Sequence, residues 1–205
     1  KGEAENYEIK RCNQPIKFAT TQNEQNTVKS WGFDGRNTRK VSSELSGLSV
    51  GNVSGLKLKW AFAYPGATRA RSQPVIHDGV IYVGSQHGKV YAIDLDTGCT
   101  FWSYQAQAEV RSAISIVKSA NSPDEGLIIY FGDFNGAVYA LNGLTGEEIW
   151  KTHLNDHKDT IITGSPKFYD EVLYVPMSSN EWASAADPSY ECCSFRGGVA
   201  AFHAK

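Results

Sequence analysis

Cys192 and Cys193 are adjacent. A disulfide between neighbouring cysteines would close a small, strained ring, and such strain is usually tied to function rather than stability. The residues alone leave other outcomes open: two reduced thiols, or one of the pair bonded to Cys12 or Cys99. Arg196 follows three residues later; its planar fork suits a carboxylate, or otherwise a surface ion pair. Asn180 and Glu181 offer the oxygen atoms a hard cation prefers, unless they are simply an exposed acidic loop. Arg71-Ser72 and Arg111-Ser112 are matching dipeptides. Two desolvated arginines at one end of a fold would repel each other, which suits an anionic ligand between them; plain solvent-facing loops are the alternative. Thr163 and Ser165 place hydroxyls before a short apolar segment, as a turn leading into a strand also would. Histidines 77, 87, 153, 157 and 203 share no metal spacing and read as surface or turn residues.

These residues must be positioned by a repeated unit. Asp78-Gly-Val-Ile-Tyr-Val-Gly84 continues through Gly88 and Val90 to Thr97-Gly98 and Trp102. A second copy passes through Gly136 and Val138 to Thr145-Gly146 and Trp150, offset by 48 residues at the glycine, the valine and the tryptophan. A third starts at Asp170-Glu-Val-Leu-Tyr-Val175 and resumes at Gly198-Val-Ala-Ala-Phe202, with extra residues between Met177 and Gly197. Leu56-Lys-Leu-Lys-Trp60 reads as the last strand of an earlier copy. Short alternating strands separated by Ser85–Gly88, Asp133–Gly136 and the Thr-Gly turns predict four-stranded antiparallel meanders. The fold class is therefore an all-β propeller with about three blades, around 61–102, 110–150 and 161–205, forming an incomplete ring. Trp102 and Trp150 are expected to wedge between blades. Residues 1–30 lack the repeat and read as an N-terminal extension, with 31–205 as the partial propeller.

Composition narrows the function classes. Hydrophobic residues make up 41%, enough for a core, and 20 basic against 22 acidic residues leave a net charge of -2. That balance argues against non-specific nucleic-acid binding. No apolar run is long enough to span a bilayer as a helix. The first ten residues lack a signal peptide's apolar stretch, so an export signal is expected to be absent from this sequence.

The repeat Ala-x-Asp-x-x-Thr-Gly-x-x-x-Trp, here Ala92–Trp102 and, with Asn142, Ala140–Trp150, resembles the tryptophan-docking motif of quinoprotein propellers. Trp31–Arg39, Leu56–Phe62, Pro65–Arg69, Arg111–Ile114, Ile162–Pro166 and Cys192–Gly197 together resemble polyvinyl-alcohol dehydrogenase-type quinoproteins, over the first part of a longer propeller. The resemblance implies pyrroloquinoline quinone (PQQ) and calcium as cofactors, and oxidation of a small or polymeric alcohol. It implies hydride transfer to a quinone carbonyl polarised by the cation, with a carboxylate base. That base lies on a later blade in the family, so no catalytic residue is assigned here, and the 205 residues alone are expected to be inactive. It also implies a vicinal disulfide forming a wall against PQQ, with Arg196, Arg111, Arg71, Thr163, Ser165, Ser178 and Ser179 contacting the cofactor. Glu181, with Asn180, would hold calcium.

One feature departs from relatives of the methanol dehydrogenase type. Their vicinal cysteines lie in the loop corresponding to Ser112–Ser115, which has none here. No Cys-x-x-Cys-His for covalent haem occurs, so electrons would pass to a separate cytochrome c or quinone acceptor. A vicinal disulfide requires an oxidising compartment, the periplasm or the cell exterior. The rest of the ring would come from a longer chain or a partner chain. The rival reading is a non-catalytic propeller that serves as a scaffold, or a relative that has lost its cofactor.

Overall fold

A computed structural model describes residues 9–18, 31–32, 38–118 and 126–203. The remainder of the expected N-terminal extension, and Phe33–Asn37 of the Trp31–Arg39 motif, lie outside the described residues. After a single helical turn, α1 (Ser43–Ser46), and a 3-10 turn at Val53–Gly55, the regular elements are strands apart from one further helical turn. Blade 1 is β1 (Val75–His77), β2 (Val80–Gly84), β3 (Lys89–Asp94) and β4 (Thr100–Gln105). Blade 2 is β5 (Ser115–Lys118), β6 (Leu127–Gly132), β7 (Ala137–Asn142) and β8 (Glu148–His153). Both are antiparallel meanders in sequence order. Blade 3 is β10 (Lys167–Tyr169), β11 (Val172–Ser179) and β12 (Gly198–His203), with the short β9 (Thr160–Ile161) paired to the far end of β11. One further turn of helix, α2 (Glu181–Ser184), interrupts the strands.

The 48-residue repeat is visible down to its irregularities. Each of the first two blades carries a register shift at the same place, Ala92/Ile93 and Ala140/Leu141. Gly98 and Gly146 take positive φ of 70° and 77° in the Thr-Gly turns, which Asp94 and Asn142 close by accepting backbone N–H bonds. These glycines also make room for the preceding blade. A Cβ on Gly146 would sit 2.6 Å from the Trp102 ring, and one on Gly98 would sit 2.8 Å from the Trp60 ring. Trp102 Nε1 and Tyr82 Oη both donate to the Gly143 carbonyl, at 3.1 and 3.0 Å. Trp60 Nε1 donates to the Leu95 carbonyl, at 3.0 Å. Leu56–Trp60 is thus corrected: it joins no sheet, and only its tryptophan takes the docking position.

The middle strands of blades 1 and 2, β2, β3, β6 and β7, are buried on both faces, as sheets stacked around an axis require. Tyr82, Val90, Ala92 and Trp102 pack with Ile129, Phe131, Tyr139 and Leu141 between blades 1 and 2. Tyr130, Val138 and Ala140 pack with Ile162, Leu173 and Val175 between blades 2 and 3. The opposite face of blade 1, Ile81, Val83, Tyr91 and Ile93, is covered by Ile9, Trp60, Phe62 and Tyr64. At each junction a carbonyl of one blade accepts from the lead-in of the next: Ser85 from Val110 and Asp133 from Ile162, both 3.0 Å. The N-terminal segment adds a parallel bridge to the outer strand of blade 1. Thr100 N–H donates to Lys10 O, Cys12 N–H donates to Thr100 O, and a Cys12–Cys99 disulfide fastens the pair.

Blade 3 changes one joint in a way its sequence explains. In blades 1 and 2, Ser72 and Ser112 accept from the N–H of Gly84 and Gly132, at 3.1 and 3.4 Å. The matching pair in blade 3 is Gly164 and Pro176. Proline has no N–H to satisfy, so the serine is dispensable. Its ring instead fills the space: a Cβ on Gly164 would stand 2.5 Å from Pro176 Cγ.

Candidate functional site

In an antiparallel meander the innermost strand begins where the second strand ends. Residues before β1, β5 and β10 therefore share one end of the blades with the turns after β2, β6 and β11. Arg71, Arg111 and Thr163 occupy the three equivalent lead-in positions, and residues 180–197 replace, in blade 3, the tight turns of the other blades. The topology thus puts Arg71, Arg111, Thr163 and the β11–β12 insertion at the same end of their blades.

Cys192 and Cys193 form a disulfide with each other on this insertion, joined by a cis peptide bond. Both are exposed. The two residues that follow are anchored by Glu181. Its buried carboxylate accepts from the N–H of Ser194 at 2.8 Å on Oε1 and from that of Phe195 at 3.2 Å on Oε2. Tyr190 Oη donates to Oε1 at 3.0 Å, and Ser179 Oγ to Oε2 at 3.3 Å. Burial alone would raise this carboxyl's pKa; the donors outweigh it and hold it below the ordinary range. Arg196 closes the loop from outside, with Nη1 donating to the carbonyls of Cys193, Ser194 and Phe195 at 3.2, 3.4 and 2.9 Å.

Asp159, in the turn just before β9, ties the insertion to its own blade. Its carboxylate accepts from Ser184 Oγ at 2.5 Å, its Oδ2 lies 2.9 Å from Tyr190 Oη, whose single hydrogen is shared between this oxygen and Glu181 Oε1, and its carbonyl accepts from Asn180 N–H at 2.7 Å. The Ser184 hydrogen bond leads in keeping the Asp159 pKa low, against desolvation. Burial, then the two carboxylates it bonds, push the Tyr190 pKa upward. His157 completes the cluster. Its Nδ1 accepts from Asp159 N–H at 3.2 Å, so the neutral ring carries its proton on Nε2, which lies 2.9 Å from Ser194 Oγ.

The remaining candidates are placed as follows. Ser178 and Ser179 belong to β11 itself, paired with Ile161 and Thr160, rather than to the loop after it. Thr163 Oγ1 lies 3.3 Å from Ser178 Oγ at the exposed rim. Ser165 Oγ accepts from Ala113 N–H at 2.8 Å and so joins blades 2 and 3. A shallow pocket of about 260 Å³ is lined by Thr163, Gly164, Ser165 and Trp31. Arg111 Nη2 pairs with Glu109 at 2.7 Å, and its guanidinium lies 3.8 Å over the Phe134 ring. Arg71 is exposed. Two histidines are corrected: His77 is buried, 4% exposed, edge-on to Phe18, and His157 sits inside the loop-anchoring cluster. Local sequence could not reveal this, because their neighbours are distant in the chain. Glu109, Asp159 and Tyr190 were missed for the same reason.

The fold, the repeated tryptophan docks and the vicinal disulfide together define a quinoprotein-type propeller. The chain belongs to the PQQ-repeat family whose model, described as outer membrane protein assembly factor BamB, matches residues 41–188. It is 37% identical over 174 residues to a polyvinylalcohol dehydrogenase of a Pseudomonas species, covering 85% of this chain and 27% of the relative. It is 38% identical over 157 residues to another from Sphingopyxis sp. strain 113P3, covering 77% and 24%. Among solved structures, the quinohemoprotein alcohol dehydrogenase of Comamonas testosteroni matches 88% of this chain and 26% of its own, with a TM-score of 0.69 and 22% identity. The chain spans about a quarter of the length of these relatives.

The residues present fit part of a calcium site. Asn180 Oδ1 is buried without a hydrogen-bond partner, and Glu181 Oε2 accepts only long bonds, so both can turn to a hard cation. Among the described residues no three His, Cys, Asp or Glu side chains form a metal cluster. A shell of about six to eight oxygens would need further donors.

Proposed function

We propose that this chain is the part of a PQQ- and calcium-dependent alcohol dehydrogenase that supplies one wall of the cofactor site. The observation that carries this reading is the Cys192–Cys193 disulfide, set on the rim by a buried carboxylate at the position where a cation ligand is expected. Bound there, PQQ would supply the hydride acceptor for alcohol oxidation and calcium the Lewis acid beside it. In this reading Cys192–Cys193 gives the flat ligand a wall. Thr163, Ser165, Ser178 and Ser179 offer hydroxyls, and Arg71, Arg111 and Arg196 offer cations for its carboxylates. Glu181 and Asn180 hold calcium. The alcohol is small or polymeric, the electron acceptor a separate cytochrome c or quinone, and the base that takes the hydroxyl proton lies outside these residues. Two disulfides favour the periplasm or the cell exterior.

The test uses the full-length protein. Mixed with PQQ and Ca²⁺ and passed through gel filtration, it should retain the cofactor's absorbance, and Cys192→Ser should lower that retention. Full-length protein that keeps no PQQ would leave the non-catalytic propeller as the reading.

A further inference from the structure

We infer that Tyr190, backed by Asp159, is a positioning residue: its hydroxyl sets the Glu181 carboxylate so that Oε1 carries the shorter bonds to the disulfide loop and to the phenol, while Oε2, held by longer ones, is the oxygen offered to a cation. The inference rests on the reading of Glu181 as a calcium ligand and goes on to say what aims it.

The two oxygens of Glu181 are not equivalent. Oε1 takes the shortest bonds, 2.8 Å from Ser194 N–H and 3.0 Å from Tyr190 Oη, with His157 Nε2 at 3.8 Å. Oε2 takes only the longer 3.2 Å and 3.3 Å contacts from Phe195 N–H and Ser179 Oγ, and the Phe195 N–H is shared with Oε1 at 3.3 Å. Without the phenol, the carboxylate would lose the side-chain hydroxyl bonded to Oε1 and keep only that of Ser179, on Oε2, against turning about its Cγ–Cδ bond. Tyr190 is itself pinned, because the same oxygen reaches Asp159 Oδ2 at 2.9 Å, and the Lys158 ammonium lies 4.7 Å over its ring. Asp159 is held in turn by Ser184 and by the turn before β9. The eight residues from Trp182 to Ser189 therefore act as a strap whose end, Tyr190, folds back onto its starting point, Glu181. A ligand aimed from behind in this way typically loses about 10–100-fold in metal affinity when the supporting group is removed.

The experiment compares full-length wild type, Tyr190→Phe and Glu181→Gln, each stripped of metal. Calorimetric titration with Ca²⁺ alone gives affinity; hydrogen exchange of peptides covering Ser194 and Phe195 reports the loop. Tyr190→Phe should weaken Ca²⁺ binding about tenfold and speed exchange at Ser194 and Phe195, with global exchange unchanged. Unchanged affinity overturns the inference, whether or not the loop exchanges faster. So does a loss of affinity accompanied by faster exchange throughout the blades, because that marks general unfolding. If Glu181→Gln binds Ca²⁺ like wild type, the calcium reading of Glu181 fails on its own evidence, and the positioning role toward a cation falls with it. If Glu181→Gln abolishes binding and Tyr190→Phe does not alter it, only the positioning role is lost.

Discussion

Arg111 illustrates how a side chain's partner decides its role. Its matching position with Arg71 invites an anion between them, yet its guanidinium is largely buried against Glu109 and Phe134. An anionic ligand reaching Arg111 must therefore share it with Glu109. Removing one member of such a pair leaves the other charge buried and uncompensated. Arg111→Ala should destabilise the protein by about 3 kcal/mol in urea unfolding, and Arg111→Ala with Glu109→Ala should recover part of that loss. Additive costs would show that the two residues do not act as a pair. Glu109 could not be singled out from the sequence, since Glu two residues before Arg is commonplace on exposed strands. Its importance appears only when Phe134 arrives from blade 2.

At the scale of elements, the meander was legible because its signals are local. Period-two strands, turn glycines and the 48-residue offset all lie within one copy. What was not legible depends on other copies: Ser178 and Ser179 lie in a strand because β9 pairs with them, and Trp60 docks without its segment joining a sheet. The short helix α2 lies inside the insertion, where no repeat guides the reading. The exchange of Ser and Gly for Gly and Pro in blade 3 makes a sharp test. Gly164→Ser should cost about 1–3 kcal/mol by overpacking against Pro176, and adding Pro176→Gly should restore most of it by rebuilding the joint of blades 1 and 2. Equal stabilities for the single and double variants would contradict this. A second element-scale expectation concerns the Cys12–Cys99 disulfide, which fastens a segment held otherwise by few backbone bonds. Cys12→Ser with Cys99→Ser should lower stability by about 2–4 kcal/mol and expose the segment to limited proteolysis. An unaltered cleavage pattern would mean that Ile9, Ile16 and Phe18 hold it by packing alone.

For the whole molecule, the stacking of blades is what converts scattered residues into one rim. Arg71, Arg111 and Thr163 are 40 and 52 residues apart in the chain, yet each precedes the innermost strand of its blade. The sequence announced the rim through its repeat. The network that shapes the rim, from His157 and Asp159 through Tyr190 to Glu181, was hidden because its members belong to no repeat. The most direct measurement is a crystal structure of the full-length protein with PQQ and Ca²⁺. The account predicts the ring system lying against Cys192–Cys193 and the cation on Glu181 Oε2, with Oε1 still bonded to Tyr190 and Ser194. Cofactor density elsewhere, or sulfurs turned away from the hub with no cation at Glu181, would contradict it.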